Sequence, residues 1–434
     1  MIESKQIKID KIQVKENASF VANVPGSKSI TNRALLIAAL SDGLTTIKGA
    51  LFSDDSRHFL NCLKELGFDV KIDEENCEVQ VMGLSGKIPK DEAKIYVGSA
   101  GTAARFLTAM LAIKGKYYID SSEQMKKRPM APLIESLKEL GAVVTYHEQE
   151  GHFPFTIEGN GQKKDRIVVN IDNSSQFLSA LLIVSTMFEK DMDIEVVGSH
   201  GMAYIDITVN MMKQFGVVVE KEDNVYHIKA NQTYKACVYE VEPDVSAACY
   251  FYALSPLLSV KSTVKGVKAN SMQGDIEFVN ILKNAGCIIS TNEQGDIEVD
   301  PPVQKYYEFG KVDMGMCSDQ TMTLAVLAPF AKSQTYIYNV GHIRYQESDR
   351  INAIVTELKK MGINCKETKD SITIEPGKIV QSIVDTYDDH RMAMSFALIG
   401  LVAEGIVIDN PSCCRKTFEN YFEELFNVIS QIKK

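Results

Sequence analysis

The 434-residue sequence contains no tryptophan, no CxxC pair and no apolar run long enough to cross a membrane. A membrane-spanning helix needs about 20 successive apolar residues, and the N-terminal MIESKQIKIDKI lacks the apolar stretch of a secretory signal peptide. The nine cysteines are an odd number, which is typical of reduced thiols rather than of a disulfide framework. These absences favour a cytoplasmic protein with no membrane partner.

Positive charge is also scarce, because 47 Lys and Arg residues face 57 Asp and Glu residues and leave a formal net charge of −10. This balance argues against nucleic-acid binding, which favours basic surfaces, although a local cluster of cations can still attract a small anion. No HExxH motif, Cys/His spacing or Asp-rich loop is present, so no metal site is expected. The stretch VPGSKSITNR has one glycine where a nucleotide phosphate loop needs two, which disfavours a nucleotide-binding protein.

An internal repeat organises the chain. A helix-like segment that ends in a Leu/Met-Lys-x-x-Gly pattern recurs five times, and its glycines lie 70 to 76 residues apart. Each glycine is expected just after a helix, where a left-handed backbone favours Gly, and a strand-like run follows each. The five copies are LKELGFDV, LKELGAVV, MKQFGVVV, LKNAGCII and LKKMGINC.

A second, more apolar helix precedes each copy and opens on a polar cluster, and a sixth such helix, DDHRMAMSFALIGLV, lies near the C-terminus. The six anchors, 70 to 74 residues apart, are Lys28, Thr102, Gln176, Ser246, Gln320 and Arg391. We interpret them as six α/β units in two domains of three, against the alternative of coincidental helix spacing. We predict an inserted domain, 22–240, and a discontinuous domain, 1–21 plus 241–434, with hinge crossovers near 20–24 and 239–244. The strand-like QIKIDKIQVKE is expected to complete the sixth unit.

Cations at helix starts are the strongest chemical signal. Lys28, Arg33, Arg105 and Arg391 lie near positive helix ends, where cations are disfavoured unless something negative compensates them. This pattern favours a site for several anions over simple capping with surface salt bridges. Further charge lies at second-helix starts, in KKRPMAPL, where Pro129 is predicted to be the first helical residue, in RYQESDR and in CRKTFENY. Asp319, Glu347, Asp389 and His390 lie among these cations, as neutralising groups or as proton-transfer groups, and the residues alone leave both open.

Eight motifs in order along the chain resemble those of the 5-enolpyruvylshikimate-3-phosphate synthase family. They are VPGSKSITNRALL, SAGTAARF, KKRPM, SSQFLSALL, ANSMQGD, ESDR, DDHRMAM and KTFENYF. The resemblance implies an α/β fold of two domains, each built of three repeated βαβαββ-type units in an inverse α/β barrel-like arrangement that closes on substrate by induced fit. It also implies transfer of the enolpyruvyl group of phosphoenolpyruvate to the 5-hydroxyl of shikimate 3-phosphate, by addition–elimination through a tetrahedral intermediate, in chorismate and aromatic amino-acid biosynthesis.

Site roles carry over from the resemblance position by position. It implies catalytic roles for Asp319, Glu347, Lys28 and Lys416. It implies shikimate 3-phosphate binding by Lys28, Ser29, Arg33, Ser174, Ser175, Gln176, Tyr204, Asp319 and Gln346. It implies phosphoenolpyruvate binding by Lys28, Gly101, Arg128, Gln176, Arg350, Arg391 and Lys416. The family needs no cofactor or metal, takes small-molecule substrates rather than nucleic acid, is expected to be monomeric, and is the target of glyphosate.

One departure from the family pattern concerns substrate affinity. Gln346 stands where the family usually has Lys, so the side chain can still hydrogen-bond a hydroxyl but brings no charge. The roles of His342 and Ser199 stay open at this stage. Three rival interpretations remain: the sister enolpyruvyl transferase that acts on UDP-N-acetylglucosamine, a binding protein that kept the fold, and a nucleotide-binding protein. The first usually carries a loop cysteine, which SSEQMKKRPM lacks.

Overall fold

The computed structural model describes residues 5–199 and 201–434. The chain forms two compact units, a contiguous unit of Gly26–Val241 and a discontinuous unit of Met1–Pro25 with Glu242–Lys434. Within the described residues, no helix has the length and apolar content needed to cross a membrane.

Two short strands open the discontinuous unit, β1 (Gln6–Ile9) and β2 (Ser19–Ala22). The contiguous unit then has strands β3 (Leu44–Lys48), β4 (Val70–Asp73), β5 (Glu78–Met82), β6 (Glu92–Tyr96), β7 (Lys114–Asp120), β8 (Val143–Tyr146), β9 (Phe155–Asn160), β10 (Arg166–Asn170), β11 (Met192–Val197), β12 (Val219–Glu222), β13 (Val225–Ile228) and β14 (Val238–Glu240). Its helices are α1 (Lys28–Leu40), α2 (Asp54–Glu65), α3 (Gly101–Leu111), α4 (Glu123–Lys126), α5 (Ala131–Leu140), α6 (Gln176–Val184) and α7 (Met202–Gln214).

The remainder of the discontinuous unit repeats the same pattern. Its strands are β15 (Lys261–Lys268), β16 (Ile288–Thr291), β17 (Asp296–Asp300), β18 (Lys311–Asp313), β19 (Thr335–Tyr338), β20 (Cys365–Glu367), β21 (Ile372–Ile374), β22 (Ser382–Val384) and β23 (Ile406–Asp409). Its helices are α8 (Val245–Leu258), α9 (Glu277–Asn284), α10 (Thr321–Leu327), α11 (Arg350–Lys360), α12 (His390–Gly400) and α13 (Tyr421–Ile432).

The predicted βαβαββ repeat is confirmed, for example in the order β6-α3-β7-α5-β8-β9, where the four-residue helix α4 is inserted before α5. In that unit β6 runs parallel to β7, which pairs antiparallel with β9, and β8 forms the far edge. The same arrangement recurs in the sheets β10-β11-β13-β12 and β18-β19-β21-β20. A parallel first pair requires a crossover, and in these three repeats the anchor helices α3, α6 and α10 supply it.

The first repeat of each domain takes its opening strand from a distant part of the chain. Strand β14 pairs parallel with β3, and β2 pairs parallel with β15. Each of these strands therefore lies in the unit that the chain is about to leave. Strand β1 pairs antiparallel with β23, so the N-terminal run completes the sixth repeat as predicted.

The anchor helices form the core of each unit because they are apolar on every side. In α1 every residue from Ile30 to Leu40 is buried, and α3 and α12 are buried along their whole lengths. Helices that are apolar all round are typical of protein interiors. Helices α1, α3 and α6 pack together in the contiguous unit, and α8, α10 and α12 do so in the discontinuous unit. The charged side chains of α1, α3 and α12 lie within the first two turns, as Lys28 and Arg33 do in α1, Arg105 in α3 and Arg391 in α12.

The repeat glycines adopt the predicted left-handed backbone, with φ between 83° and 119° at positions 67, 141, 216, 286 and 362. Two predicted helix starts are wrong. Helix α5 begins at Ala131 with Pro132 in its first turn, so Pro129 lies outside the helix. The last helix begins at Tyr421, because Pro411–Lys416 forms a separate 3-10 helix that a turn separates from α13.

Candidate active site

The polar openings of neighbouring repeats touch one another in each unit. Gln176 Nε2, at the start of α6, donates to Thr102 Oγ1 in α3 at 3.4 Å, and these residues are 74 positions apart. In the discontinuous unit, Gln320 Nε2 reaches the backbone oxygen of Ser246 at 3.4 Å across the same interval of 74. The anchors identified from the repeat are therefore spatial neighbours as well as sequence equivalents.

Lys28 begins α1 and is held by a buried carboxylate. Its Nζ lies 3.1 Å from Asp55 Oδ2, in the first turn of α2, and only 1% of the Asp55 side chain is exposed. The other oxygen of Asp55 has no hydrogen-bond partner among the residues that the structure describes. A buried carboxylate with one ionic partner fixes that partner strongly, because separation would leave the charge uncompensated. Asp55 therefore sets the position of the Lys28 ammonium.

Arg33 lies inside the contiguous unit, where its guanidinium donates to four acceptors of the same chain. Nε donates to Thr208 Oγ1 at 2.7 Å, and NH2 donates to Ser179 Oγ at 3.3 Å. The backbone oxygens of Ser29 and Tyr204 accept from NH1 and NH2 at 2.9 and 3.0 Å. Burial lowers the pKa of Arg33 to about 10. The guanidinium thus links the backbones of two other residues in the predicted shikimate 3-phosphate set.

Two arginines converge on Gly101, the first residue of α3. A methyl group added at Gly101 would lie 2.7 Å from Arg105 NH1 and 2.8 Å from Arg128 NH1. Arg105 is 2% exposed, and its NH1 donates to the Gly101 carbonyl at 3.0 Å. The absence of a side chain at Gly101 therefore lets two guanidinium groups approach the start of a helix, where the backbone N–H groups also favour anions.

The serines before α6 form the third polar opening of the contiguous unit. Ser174 Oγ accepts from the backbone N–H of Gln176 at 3.3 Å, and Ser175 is buried. Gly201 packs against Ser175 so closely that an added methyl would lie 2.6 Å from Ser175 Oγ. The backbone N–H of Tyr204 donates to the Gly201 carbonyl at 3.0 Å. Ser175 and Tyr204 are thus connected through one glycine.

Arg350 is the centre of the polar cluster in the discontinuous unit. Only 1% of its side chain is exposed, and it contacts three carboxylates: Asp389 at 2.8 Å, Glu347 at 2.9 Å and Asp319 at 3.0 Å. It also donates to Gln346 Oε1. Burial by itself lowers the pKa of Arg350, but these three carboxylates outweigh burial and raise the pKa above its ordinary value. Arg350 is therefore a permanent cation.

Asp319 bridges Arg350 and Arg391. Its Oδ1 lies 3.0 Å from Arg350 NH1 and its Oδ2 lies 2.7 Å from Arg391 NH2. Asp319 is part of the 3-10 turn Ser318–Gln320 that leads into α10, whereas Arg391 is in the first turn of α12. Asp389 caps α12 by accepting from the backbone N–H of Arg391 at 3.0 Å. One carboxylate thus holds two cations from separate repeats.

Glu347 pairs with two cations in the same way. Its Oε2 lies 2.9 Å from Arg350 NH2, and its Oε1 lies 3.2 Å from Lys416 Nζ. The side chains of Glu347 and Lys416 are 9% and 8% exposed, so this pair is almost removed from water. Lys416 is the last residue of the 3-10 helix Pro411–Lys416, rather than part of α13. The proposed acid/base carboxylates, Asp319 and Glu347, therefore share the Arg350 guanidinium.

Histidines occupy two further positions near this cluster. His390 begins α12, is 2% exposed, and its Nδ1 lies 3.8 Å from Asp389 Oδ1. His342 lies in the 3-10 helix Gly341–Tyr345.

Sequence reasoning missed two carboxylates that the structure joins to predicted site residues. Asp55 pairs with Lys28, and Asp275 accepts from Gln320 beside Asp319. Asp55 lies in SDDSR, where acidic residues in a first turn are explained equally well by the helix dipole. Asp275 lies in ANSMQGD, a motif that the sequence analysis used only for the family resemblance.

Comparisons with known proteins agree with the family resemblance. A sequence profile described as EPSP synthase (3-phosphoshikimate 1-carboxyvinyltransferase) matches residues 13–425. A 3-phosphoshikimate 1-carboxyvinyltransferase of Trichormus variabilis is 41% identical over 411 residues, which cover 94% of this chain and 96% of that protein. One of Aliivibrio salmonicida is 41% identical over 412 residues, covering 93% and 95%.

The fold is also found among solved structures. A structure of EPSP synthase from Acinetobacter baumannii superposes with a TM-score of 0.81, covers 98% of each chain and is 24% identical in sequence. At 24% identity, the superposition shows a shared fold only. The family is shown by the profile match and by the relatives that are 41% identical. The chain therefore belongs to the EPSP synthase family.

Proposed function

We propose that this chain transfers the enolpyruvyl group of phosphoenolpyruvate to the 5-hydroxyl of shikimate 3-phosphate, and that the polar clusters described above carry out the step. The observation that supports this most directly is the set of nearly buried cations in the polar clusters. In the discontinuous unit they are Arg350, Arg391 and Lys416, which are 1%, 8% and 6% exposed. Both substrates are phosphorylated carboxylates, and fixed cations in a poorly hydrated environment stabilise such anions strongly.

We assign phosphoenolpyruvate to Arg350, Arg391 and Lys416, with Lys28, Gly101, Arg128 and Gln176 contributing from the contiguous unit. Arg350 and Arg391 both contact Asp319, and Arg350 and Lys416 both contact Glu347. An incoming carboxylate or phosphate has to compete with these two side chains for their cations. Competition of this kind frees the carboxylates only when substrate is present, which suits groups that move protons during the reaction.

We assign shikimate 3-phosphate to Ser174, Ser175 and Gln176 at the start of α6, with Lys28, Ser29, Arg33, Tyr204, Asp319 and Gln346 as further ligands. Serine hydroxyls and helix N–H groups are suitable donors to a phosphate. Arg33 uses its described contacts to hold the Ser29 and Tyr204 backbones. Gln346 accepts from Arg350, so its amide is oriented by the same cation that we assign to phosphoenolpyruvate.

In the mechanism that we propose, the reaction is addition–elimination. The 5-hydroxyl gives up its proton to a carboxylate as its oxygen adds to the double-bonded carbon that bears the phosphate, the methylene carbon takes up a proton, and a tetrahedral intermediate forms. Loss of a methyl proton and of phosphate then gives the enolpyruvyl ether. Asp319 and Glu347 are the carboxylates that we assign to these proton transfers, and Lys28 and Lys416 stabilise the charge that develops. No cofactor or metal takes part in this scheme.

Further proposals follow from the family. We propose that the chain acts as a cytoplasmic monomer in aromatic amino-acid biosynthesis, with hinges at the two crossovers near 20–24 and 239–244. We also propose that glyphosate competes at the phosphoenolpyruvate site, where Gly101 leaves room beside Arg128.

Phosphate release by the purified protein tests the proposed function. We expect release when shikimate 3-phosphate and phosphoenolpyruvate are both present, and none when either is omitted. The product is identified by mass spectrometry as the enolpyruvyl ether. Silence with this pair, together with turnover of UDP-N-acetylglucosamine and phosphoenolpyruvate, would assign the chain to the sister reaction instead. Binding of shikimate 3-phosphate without any turnover would indicate a binding protein.

A further inference from the structure

Asp275 is a buried carboxylate beside the catalytic cluster. It lies in the 3-10 turn Gly274–Ile276 before α9 and is 4% exposed. Its Oδ2 accepts from Gln320 Nε2 at 2.8 Å and from the hydroxyl of Ser246. No Lys or Arg forms an ion pair with it in the described part of the chain. A carboxylate buried without an ionic partner is costly, which makes Asp275 a candidate for a role that a neutral side chain would not fill.

The contact with Gln320 connects Asp275 to Asp319, which is the residue immediately before Gln320 in the chain. Gln320 is completely buried, and its side chain is held at both ends. Its Nε2 donates to Asp275, and its Oε1 accepts from Thr323 Oγ1 at 2.9 Å. Gln320 and Asp319 belong to the same short 3-10 turn, so the backbone that carries Asp319 cannot shift unless Gln320 shifts too.

We propose that Asp275 is a positioning residue for the enolpyruvyl transfer. Through its hydrogen bond to Gln320, Asp275 fixes the 3-10 turn Ser318–Gln320 and thereby the position of the Asp319 carboxylate between Arg350 and Arg391. Asp275 contacts neither arginine directly, and it acts through Gln320. The inference rests on the proposed function, because it assumes that Asp319 serves that reaction. A displacement of about 1 Å at a reacting group is enough to reduce the rate of a reaction 100-fold.

The surroundings of Asp275 make its ionisation sensitive to pH. Burial and the negative charge of Asp319 raise the pKa of Asp275 to about 6, whereas Arg391 and the hydrogen bonds from Ser246 and Gln320 lower it. The other titratable groups that face it are two thiols, Cys249 on α8 and Cys317 before the Asp319 turn, and burial raises the pKa of both. Asp244 and Glu277 lie beside these thiols. Asp275 is therefore expected to take up a proton as the pH falls through about 6.

A double-mutant cycle tests the proposal. The variants are Asp275→Asn, which keeps the shape and one acceptor oxygen, Gln320→Leu, which removes the link, and the double variant. We expect each single variant to lower kcat at least tenfold at pH 7.5, and the double variant to be within threefold of the slower single. If the loss of kcat in the double variant equals the product of the losses in the two single variants, the two residues act independently and the proposal is overturned. Gln320→Leu alone carries the test should Asp275→Asn not fold.

The pH dependence of kcat distinguishes a positioning role of Asp275 from a merely structural one. The ratio of wild-type kcat to Asp275→Asn kcat should be at least tenfold at pH 7.5 and should shrink towards one below pH 6, as wild-type Asp275 takes up its proton. A ratio that stays constant from pH 5 to pH 8 would overturn the role of the charge. The matched control is Asp296→Asn, a carboxylate of the same unit that is 6% exposed and bonds to Lys268, Gly266 and Asn292. Its kcat should stay within twofold of wild type.

The outcomes distinguish this proposal from the proposed function. If the wild-type protein does not turn over shikimate 3-phosphate and phosphoenolpyruvate, the proposed function fails. If the wild-type protein turns over and both Asp275→Asn and Gln320→Leu match its kcat, the function stands and the positioning role of Asp275 is refuted. Circular dichroism and the unfolding midpoint of each variant confirm that the kinetics report on folded protein.

Discussion

The ammonium of Lys28 lies 3.1 Å from the carboxylate of Asp55, and the Asp55 side chain is 1% exposed. The two residues come from the openings of α1 and α2 in the first repeat. A charge pair with one buried member keeps a definite geometry, in contrast to an exposed ion pair that water and salt screen. Lys28 is thus held in place before any substrate arrives.

Replacement of Lys28 by Met should lower kcat/KM at least about 100-fold, because a cation shared by two anionic substrates stabilises the transition state by about 3 kcal/mol or more. Steady-state phosphate release measures the effect. Lys71→Met, which removes an exposed lysine of β4 in the same unit, is the control and should leave kcat/KM unchanged. Activity of Lys28→Met within threefold of wild type would remove Lys28 from the site.

Gly101→Ala should impair phosphoenolpyruvate more than shikimate 3-phosphate. The added methyl would lie 2.8 Å from Arg128 NH1 and 2.7 Å from Arg105 NH1, so the guanidinium groups have to move. We expect KM for phosphoenolpyruvate to rise about tenfold, because misplacing a binding cation weakens its contact. Gly43→Ala is a matched control, since the nearest atom to its methyl is 3.5 Å away. Equal changes in KM for both substrates would contradict the assignment of Gly101.

Arg33→Met should act on stability as well as on activity. The substitution removes the Arg33 donor from the buried hydroxyls of Thr208 and Ser179 and from the partly buried backbone oxygens of Ser29 and Tyr204. We expect the free energy of unfolding to fall by about 3 kcal/mol, because each buried group left unsatisfied costs about 1–3 kcal/mol. Urea unfolding measures the change. Arg57→Met breaks an exposed pair with Glu74 and should cost less than about 1 kcal/mol. A similar loss in both variants would mean that the Arg33 contacts contribute little.

Asp275 should also leave a signature in the pH dependence of stability. Its folded-state pKa of about 6 lies above the ordinary 3.8, so the folded protein binds this proton more tightly than the unfolded chain does. The cost of burying the charge is therefore fully present above pH 6 and declines as pH falls from 6 towards 4. Relative to wild type, Asp275→Asn should lose about 2 kcal/mol of stability between pH 8 and pH 4.5.

The control for this measurement is a carboxylate with the opposite shift. Burial raises the pKa of Asp296, but hydrogen bonds from Lys268, Asn292 and Gly266 outweigh burial and hold it below 3.8. The stability that Asp296 contributes is present above its unfolded-state pKa and is lost only at lower pH. The difference between Asp296→Asn and wild type should therefore stay constant between pH 8 and pH 4.5. A parallel trend in the two variants would exclude a raised pKa at Asp275.

Local patterns predicted most of the fold, since each repeat carries its own signals. The end of a helix at a glycine and the burial of a wholly apolar helix both depend on residues that are close in sequence. The six repeats and the N-terminal strand were therefore predictable. The start of α13 was not, because the 3-10 helix Pro411–Lys416 and the turn after it interrupt a stretch that reads as helical in sequence.

The candidate active site also divides into residues that the sequence predicted and residues that it did not. Its cations were predictable from their unusual place at helix starts. The partners Asp55 and Asp275 were not, because each meets its site residue through tertiary packing, across intervals of 27 and 45 residues to Lys28 and Gln320. An acidic residue at a helix start has a sufficient local explanation, so its sequence neighbourhood does not indicate a second role.

The pairing of β2 and β14 with strands that are distant in sequence has a consequence for how the chain folds as it leaves the ribosome. The contiguous unit contains all of its own strands, including β14, so it can be completed once residue 241 has emerged. Strands β1 and β2 are made first but must wait for partners at 406–409 and 261–264. Until then their unpaired edges are open to other chains, which makes β1 and β2 the strands where chaperone binding or aggregation during synthesis is most to be expected.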